Sequence, residues 1–78
     1  MASFSVRVLD EEQEPISGAR VVLGFKSITR GMTAEEYTDS DGYAYFDEYD
    51  EGEVEVFVRG ASYGTYYYRD GDSITITV

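Results

Sequence analysis

The clearest strand pattern in the sequence is Gly52-Glu53-Val54-Glu55-Val56-Phe57-Val58 (residues 52–58), where positions 54, 56 and 58 are valine. Successive side chains of a β-strand point to opposite faces, so these valines would share one buried face. Glu55 and Phe57, which lie between them, would then face outward. The pattern predicts a half-buried strand in a sheet that packs on one side.

The same two-residue period, or a high aromatic content, recurs in six further segments that turn residues separate. These segments are residues 4–8, 19–25, 35–38, 43–47, 62–68 and 74–78. Thr-Ala-Glu-Glu at residues 33–36 also resembles a helix capping box, but the turn residues that follow favour a strand there. Residues 26–32 have no clear period and are expected to form the longest loop. Seven short strands predict one all-β domain over residues 1–78, a small Greek-key β-sandwich.

Composition excludes several classes of function. Six basic and sixteen acidic residues give a net charge of −10, which disfavours nucleic acid partners and anionic lipid. No apolar run is long enough to insert across a membrane, and no signal peptide is visible. Histidine and cysteine are absent, which removes the commonest general base and every Ser-His or Cys-His pair. The sequence therefore predicts a protein that is not an enzyme.

Four motifs in order resemble a known family: Val6-Arg7-Val8-Leu9-Asp10, Glu14-Pro15-Ile16-Ser17-Gly18-Ala19-Arg20-Val21, Tyr37-Thr38-Asp39-Ser40-Asp41-Gly42-Tyr43-Ala44-Tyr45-Phe46 and residues 52–58. From about residue 6 to residue 78, the chain resembles a carboxypeptidase regulatory-like domain. That family has a transthyretin-like (prealbumin-like), immunoglobulin-like β-sandwich, which is related in shape to Cna B-type adhesin repeats. The chain departs from the family at Glu14, where glycine is common, and in the tyrosine-rich residues 63–68.

Each motif has a physical reading. Pro15-Ile16 is expected to start a strand where a missing N–H is tolerated, and Gly18-Ala19 to allow a close backbone approach. Asp39-Ser40-Asp41-Gly42 combines side-chain acceptors with a glycine that can adopt positive φ, which suits a hairpin. Ala44 and Phe46 would then face inward together.

The resemblance implies an accessory domain of secreted, cell-surface or virion proteins, but none of the activities of related folds. Hydroxyisourate hydrolases and intradiol dioxygenases of this shape need histidines. An adhesin-type isopeptide bond needs a buried lysine, whereas the only lysine, Lys26, follows the second strand and is expected to be exposed.

No cofactor is expected, and calcium is the alternative. Asp39 and Asp41 give the Asp-x-Asp-Gly pattern of a hard-cation loop, and Asp47 could add oxygens. Residue 48, the sixth after the glycine, is a glutamate as in an EF-hand, but Thr38 starts that pattern badly. A plain hairpin turn is the preferred interpretation.

Aromatic residues supply the candidate interaction site. Eight tyrosines and four phenylalanines are too many for so small a core, and three consecutive tyrosines cannot all face inward. Tyrosine is enriched at protein interfaces. The alternative is cross-strand packing on a solvated face. The candidate interaction residues are Tyr43, Tyr45, Phe57, Tyr66, Tyr67 and Tyr68.

Together these features predict a non-catalytic structural or protein-interaction module, a subunit of a surface, virion or filament assembly. It would associate with a protein partner or with itself through a sheet edge or an outward aromatic face. A ligand-binding accessory module for calcium or carbohydrate is the alternative. The acid excess, with a single lysine, also resembles proteins of halophiles or of their viruses.

The net charge predicts that salt stabilises the fold. Carboxylates repel one another across the compact chain, and shortening the screening length from about 10 Å at 0.1 M to about 3 Å at 1 M weakens that repulsion. We expect the melting temperature to rise with sodium chloride concentration, measured by circular dichroism. A flat or falling curve would contradict the repulsion and the halophile-like interpretation.

Overall fold

The computed structural model of the protein describes residues 2–26, 33–49 and 51–78. The strands are β1 (Ala2–Leu9), β2 (Arg20–Phe25), β3 (Thr33–Tyr37), β4 (Tyr43–Tyr49), β5 (Gly52–Val58), β6 (Ala61–Tyr68) and β7 (Asp72–Thr77). All seven predicted strands are present, so the all-β prediction is confirmed. The segment that could have been a helix is β3. Most of the predicted long loop, residues 27–32, lies outside the described residues.

The strands form two sheets. β1 is the centre of a three-stranded sheet of order β4-β1-β7, and the other sheet has the order β3-β2-β5-β6. The pairing of β1 with β7 is parallel, from Phe4 opposite Asp72 to Leu9 opposite Thr77, and every other paired set of strands is antiparallel. Four of the six connections between the described strands therefore pass from one sheet to the other.

One apolar core lies between the two sheets. Val54, Val56 and Val58 are at most 1% exposed, which confirms the alternation predicted for residues 52–58. Ala44 and Phe46 are also buried, as predicted. Each fully buried valine or phenylalanine side chain contributes about 1.5 to 3 kcal/mol of hydrophobic free energy to folding. The other buried apolar residues are Phe4, Val6, Val8, Leu9, Ala19, Val21, Leu23, Phe25, Ala34, Tyr68 and Ile76.

An aspartate organises the turn between β3 and β4. The Oδ1 atom of Asp39 accepts hydrogen bonds from the backbone N–H groups of Asp41 (2.9 Å) and Tyr43 (3.0 Å). The N–H of Gly42 donates to the carbonyl oxygen of Asp39 at 3.0 Å. The predicted turn chemistry is correct, but the predicted hairpin is wrong, because β3 and β4 belong to different sheets.

The connection after β1 repeats this arrangement. The Oδ1 atom of Asp10 accepts from the N–H groups of Glu12 (2.8 Å) and Glu14 (3.0 Å). The N–H of Gln13 donates to the Asp10 carbonyl oxygen at 3.0 Å. Gln13 occupies the position equivalent to Gly42 with a φ of 66°, an uncommon conformation for a residue with a side chain.

The close backbone approach that the motif suggested occurs at Gly42, not at Gly18-Ala19. A Cβ atom on Gly42 would lie 2.7 Å from the carbonyl oxygen of Val8 and 3.0 Å from the Cβ of Pro15, whereas a Cβ on Gly18 would meet no atom within 4 Å. Pro15 itself does not start a strand. It makes a single bridge with Leu9, and β2 begins at Arg20.

Thr38 fixes the segment that leads into β2. It is the one buried polar residue in the described ranges, 5% exposed. Its Oγ1 accepts from the N–H of Ala19 at 2.8 Å and donates to the carbonyl oxygen of Ile16 at 2.6 Å. Because the same hydroxyl satisfies a buried donor and an acceptor, the segment before β2 can enter the core without an unpaired backbone group.

The two glycines give a matched test of the packing at Gly42. Both have positive φ, 74° at Gly18 and 84° at Gly42, so alanine is strained at either position. We expect Gly18→Ala to cost about 1 kcal/mol from backbone strain alone. Gly42→Ala should cost about 3 kcal/mol or more, because its Cβ also overlaps the backbone of Val8. Equal losses in urea-induced unfolding would contradict this packing.

Candidate interaction surfaces

Two predicted tyrosines form an aromatic pair on the outer face of the three-stranded sheet. The rings of Tyr43 and Tyr45 stack with centroids 5.7 Å apart and an interplanar angle of 18°. Tyr45 is 61% exposed and Tyr43 is half-buried. Partial desolvation raises the pKa of the Tyr45 hydroxyl, and the carboxylates of Asp39 and Asp41 add to that rise. The outward direction follows from the inward direction of Ala44, as the alternation predicted.

Arg7 places a positive charge against this pair. β1 sets Arg7 opposite Tyr43, and the guanidinium carbon lies 5.3 Å from the centre of the Tyr43 ring. Such a contact contributes about 0.5 to 1 kcal/mol. The Nε atom of Arg7 is buried and has no hydrogen-bond partner among the described residues. The sequence did not identify Arg7 as a candidate, because its position next to Tyr43 follows only from the pairing of β1 with β4.

Phe57 lies on the outer face of the other sheet. It pairs with Val22 on β2, and its ring is 3.6 Å from the position that a Cβ of Gly24 would take. The half-buried ring therefore covers a glycine and a valine, which is the cross-strand packing that stood as the alternative.

Ion pairs flank Phe57. Arg20 pairs with Glu35, and the Nζ of Lys26 lies 3.8 Å from Oε1 of Glu55. The hydrogen bond and the charge of Glu35 raise the pKa of Arg20. Lys26 is exposed, as expected. These pairs are largely solvated, so they add little stability but surround the apolar spot with charge.

The tyrosines of β6 divide between the two sides of the sheet. Tyr67 is 52% exposed, and the Arg69 guanidinium carbon lies 5.1 Å from its ring centre. Tyr66 is half-buried against the core. Tyr68 is fully buried, with its ring centre 5.0 Å from that of Phe4, so the structure places this candidate interaction residue in the core.

The six candidate residues therefore do not form one surface. Tyr43 and Tyr45 lie on one outer face, Phe57 and Tyr67 lie on the opposite outer face, and the remaining two point inward. Tyr37, at the end of β3, is 59% exposed and was not among the candidates.

The three carboxylates considered for calcium lie in different surroundings. Asp39 uses Oδ1 for two backbone hydrogen bonds, Asp41 is exposed in the same turn, and Asp47 is exposed on β4. Within the described ranges, no group of three or more Asp, Glu, His or Cys residues could hold a metal ion. In the same ranges, no helix is long and apolar enough to cross a membrane.

Three of the four sheet edges carry features that hinder pairing with another strand. β3 is short and exposes Glu35 and Glu36. β4 has an extra residue relative to β1 between Phe46 and Tyr49, at the acidic residues 47 and 48. β6 has an extra residue relative to β5 next to Gly64, whose φ is 104°. Short strands, charges and bulges are the ordinary means of blunting an edge.

β7 has no bulge, and its only charged side chain is that of its first residue, Asp72. It pairs with β1 over six consecutive residues without a shift in register, and residues 73–78, Ser-Ile-Thr-Ile-Thr-Val, carry no side-chain charge. The N–H of Val78 donates to the carbonyl oxygen of Leu9. Because backbone groups alternate in direction along a strand, the N–H and C=O groups of the even-numbered residues of β7 face β1. Those of Ser73, Thr75 and Thr77 point away from the sheet. We call these outward groups the β7 edge.

Among the described residues, the only hydrogen bond to the outward backbone groups of the β7 edge is local. It runs from the N–H of Ser73 to Oδ1 of Asp72, at 3.0 Å. The side chains alternate as the sequence predicted: Ile76 is buried, Ile74 is half-buried, and the hydroxyl residues are exposed. In the part of the chain that the structure describes, no other strand pairs with the β7 edge.

The burial of Tyr68 predicts a loss of stability at high pH. Desolvation raises its pKa to about 12, with Asp47 and Tyr49 adding to the rise. The ordinary value is about 10, so between about pH 10 and pH 12 the unfolded chain loses this proton while the folded chain keeps it. The free energy of unfolding should fall across this range by roughly 2 kcal/mol from Tyr68 alone.

Tyr68→Phe removes this contribution, so its unfolding free energy, measured in urea, should depend less on pH than that of the wild type. Tyr67→Phe removes an exposed hydroxyl and is the matched control, which should keep the wild-type slope. Identical slopes in both variants would contradict the burial of the Tyr68 hydroxyl.

Comparison with known proteins adds evidence on the fold alone. No family model matches the chain, and no curated protein matches it. Among solved structures, "The Bacillus anthracis TIE protein" is similar over 99% of this chain, with a TM-score of 0.70 and 15% sequence identity. The matched region is 16% of that longer chain. At this level of identity the two chains share an arrangement of strands, and the chain described here corresponds to about one sixth of the other protein.

Proposed function

We propose that the chain is a non-catalytic structural or protein-interaction module that associates with a protein partner through the β7 edge. In this proposal it is a subunit of a surface, virion or filament assembly. We further propose that its two sheets form a Greek-key sandwich of the transthyretin-like, carboxypeptidase regulatory-like type. The four passages of the chain between the sheets and the similarity in fold to a much longer protein support a modular domain.

The observation that carries the proposal is the contrast between β7 and the other three edges. An edge strand presents a row of N–H and C=O groups that can pair with an extended segment of another protein. The outward groups of Thr75 supply both a donor and an acceptor at the centre of β7. The blunted edges limit association to this one direction, because bulges and carboxylates hinder pairing elsewhere.

A second candidate function is the binding of carbohydrate at the outer face of the three-stranded sheet. The exposed ring of Tyr45 and the guanidinium of Arg7 are the observations that favour it. An aromatic ring can stack on the apolar face of a sugar, and guanidinium N–H groups can donate to its oxygens. Tyr45→Ser should weaken such binding without affecting association through β7.

The test uses a proline at the edge. The N–H of Thr75 points away from β1, so Thr75→Pro removes an outward donor and adds bulk without removing a hydrogen bond to β1. Thr75→Val keeps the N–H and is the matched control. We expect the immobilised wild type and Thr75→Val to capture the same proteins from a lysate of the source organism, and Thr75→Pro to lose them.

Circular dichroism of each variant checks that the fold is retained. Capture that is equally strong with Thr75→Pro and lost with Tyr45→Ser would contradict association through β7 and favour the aromatic face.

A further inference from the structure

We infer that the β7 edge binds the β7 strand of a second copy of this chain, antiparallel, around a two-fold axis at Thr75. This inference rests on the proposed function and adds the identity and the register of the partner. The resulting sheet would have six strands in the order β4-β1-β7-β7-β1-β4.

The backbone directions determine which residues pair. Only residues whose N–H and C=O point outward can form the hydrogen-bonded pairs of an antiparallel ladder. In β7 these are Ser73, Thr75 and Thr77, and they are symmetric about the middle residue. Thr75 would lie opposite Thr75 of the second copy, and Ser73 opposite Thr77 of the second copy. This register gives about six main-chain hydrogen bonds across the axis.

The side chains match in the same register. A two-fold axis perpendicular to the sheet keeps each face on its own side, so hydroxyl residues meet hydroxyl residues on the outer face. Ile74, which is half-buried in one copy, would lie opposite Ile76 of the second copy on the core side. Apolar and hydroxyl cross-strand pairs each stabilise a sheet, and within residues 73–77 no apolar side chain is set against a polar one.

The side chains of the β7 edge give no preference for a basic partner. Residues 73–78 carry no side-chain carboxylate, so the β7 edge has nothing that pairs with a lysine or an arginine of another protein. For two chains of net charge −10, an uncharged strand is where close approach costs least.

Charge also selects the antiparallel direction. Asp72 lies at one end of β7, and antiparallel pairing places Asp72 of the two copies about 20 Å apart, at opposite ends of the ladder. A parallel pair in register would bring these carboxylates together.

The size of the contact sets the expected strength. A single pair of edge strands buries less area than the roughly 1,200 Å² of a stable complex, so the dimer should be weak and should form at high protein concentration. Salt should strengthen it, because screening reduces the repulsion between the two acidic copies.

Sedimentation velocity measures the association from about 10 µM to about 1 mM, a range suited to a weak interface of this size. The wild type and Thr75→Val should reach a dimer, with an association constant that increases with sodium chloride. Thr75→Pro should lose at least about tenfold in that constant, which corresponds to about 1.4 kcal/mol. A strict monomer at every concentration, or a dimer that Thr75→Pro leaves unchanged, would overturn the inference.

Disulfide trapping tests the register without relying on proline. The chain has no cysteine, so each introduced thiol is unique. Ser73→Cys mixed with Thr77→Cys should give a cross-linked heterodimer under mild oxidation. Thr77→Cys alone should not, because its two thiols would lie about 14 Å apart along the ladder. Equal cross-linking of Thr77→Cys alone would contradict the register.

The two proposals fail in different ways. If the protein stays monomeric but Thr75→Pro still abolishes capture of another protein, the second copy is wrong and association through the β7 edge stands. If the protein dimerises with Thr75→Pro as well as the wild type does, and capture is also unaffected, both proposals fail.

Discussion

The parallel pairing of β1 with β7 constrains the arrangement of the other strands. Parallel neighbours cannot be joined by a tight turn, so a long connection must separate them, and in this chain that connection contains the other five strands. The six paired residues from Phe4 to Leu9 put β1 at the centre of its sheet, with β4 on its other side. This arrangement buries Val6 and Val8 fully, and it leaves β7 with one side of its backbone facing outward.

Passing between sheets four times requires sharp connections, and polar groups at the ends of the core supply them. Asp10 and Asp39 each hold a turn with one carboxylate oxygen that accepts two N–H groups. Gly42 lets one of these turns lie directly on Val8 and Pro15. Because Thr38 satisfies the backbone before β2, the interior itself can consist almost wholly of apolar side chains, which a chain of 78 residues needs.

Local periodicity predicted the strands and most of the buried face, since alternation depends only on neighbouring residues. It could not predict which strands share a sheet, and the Asp39 turn was therefore mistaken for a hairpin. The tyrosines of β6 show the same limit. Among three consecutive tyrosines of a strand, either the middle one or the outer two must face outward. Only the pairing with β5, including the extra residue near Gly64, determines that Tyr67 is exposed and Tyr68 is buried. The contact between Arg7 and Tyr43 could not be predicted either, because it depends on the pairing of β1 with β4.

In the proposed association, β7 offers its outward backbone groups to a second strand. Amide hydrogen exchange, followed residue by residue by NMR at several protein concentrations, tests it most directly. The N–H of Ile76 faces β1 and should be protected at every concentration. The N–H of Thr75 should exchange rapidly in dilute solution and become protected as concentration rises. A Thr75 amide that exchanges rapidly at all concentrations, or one that is already protected in the dilute monomer, would contradict pairing of the β7 edge with a second copy.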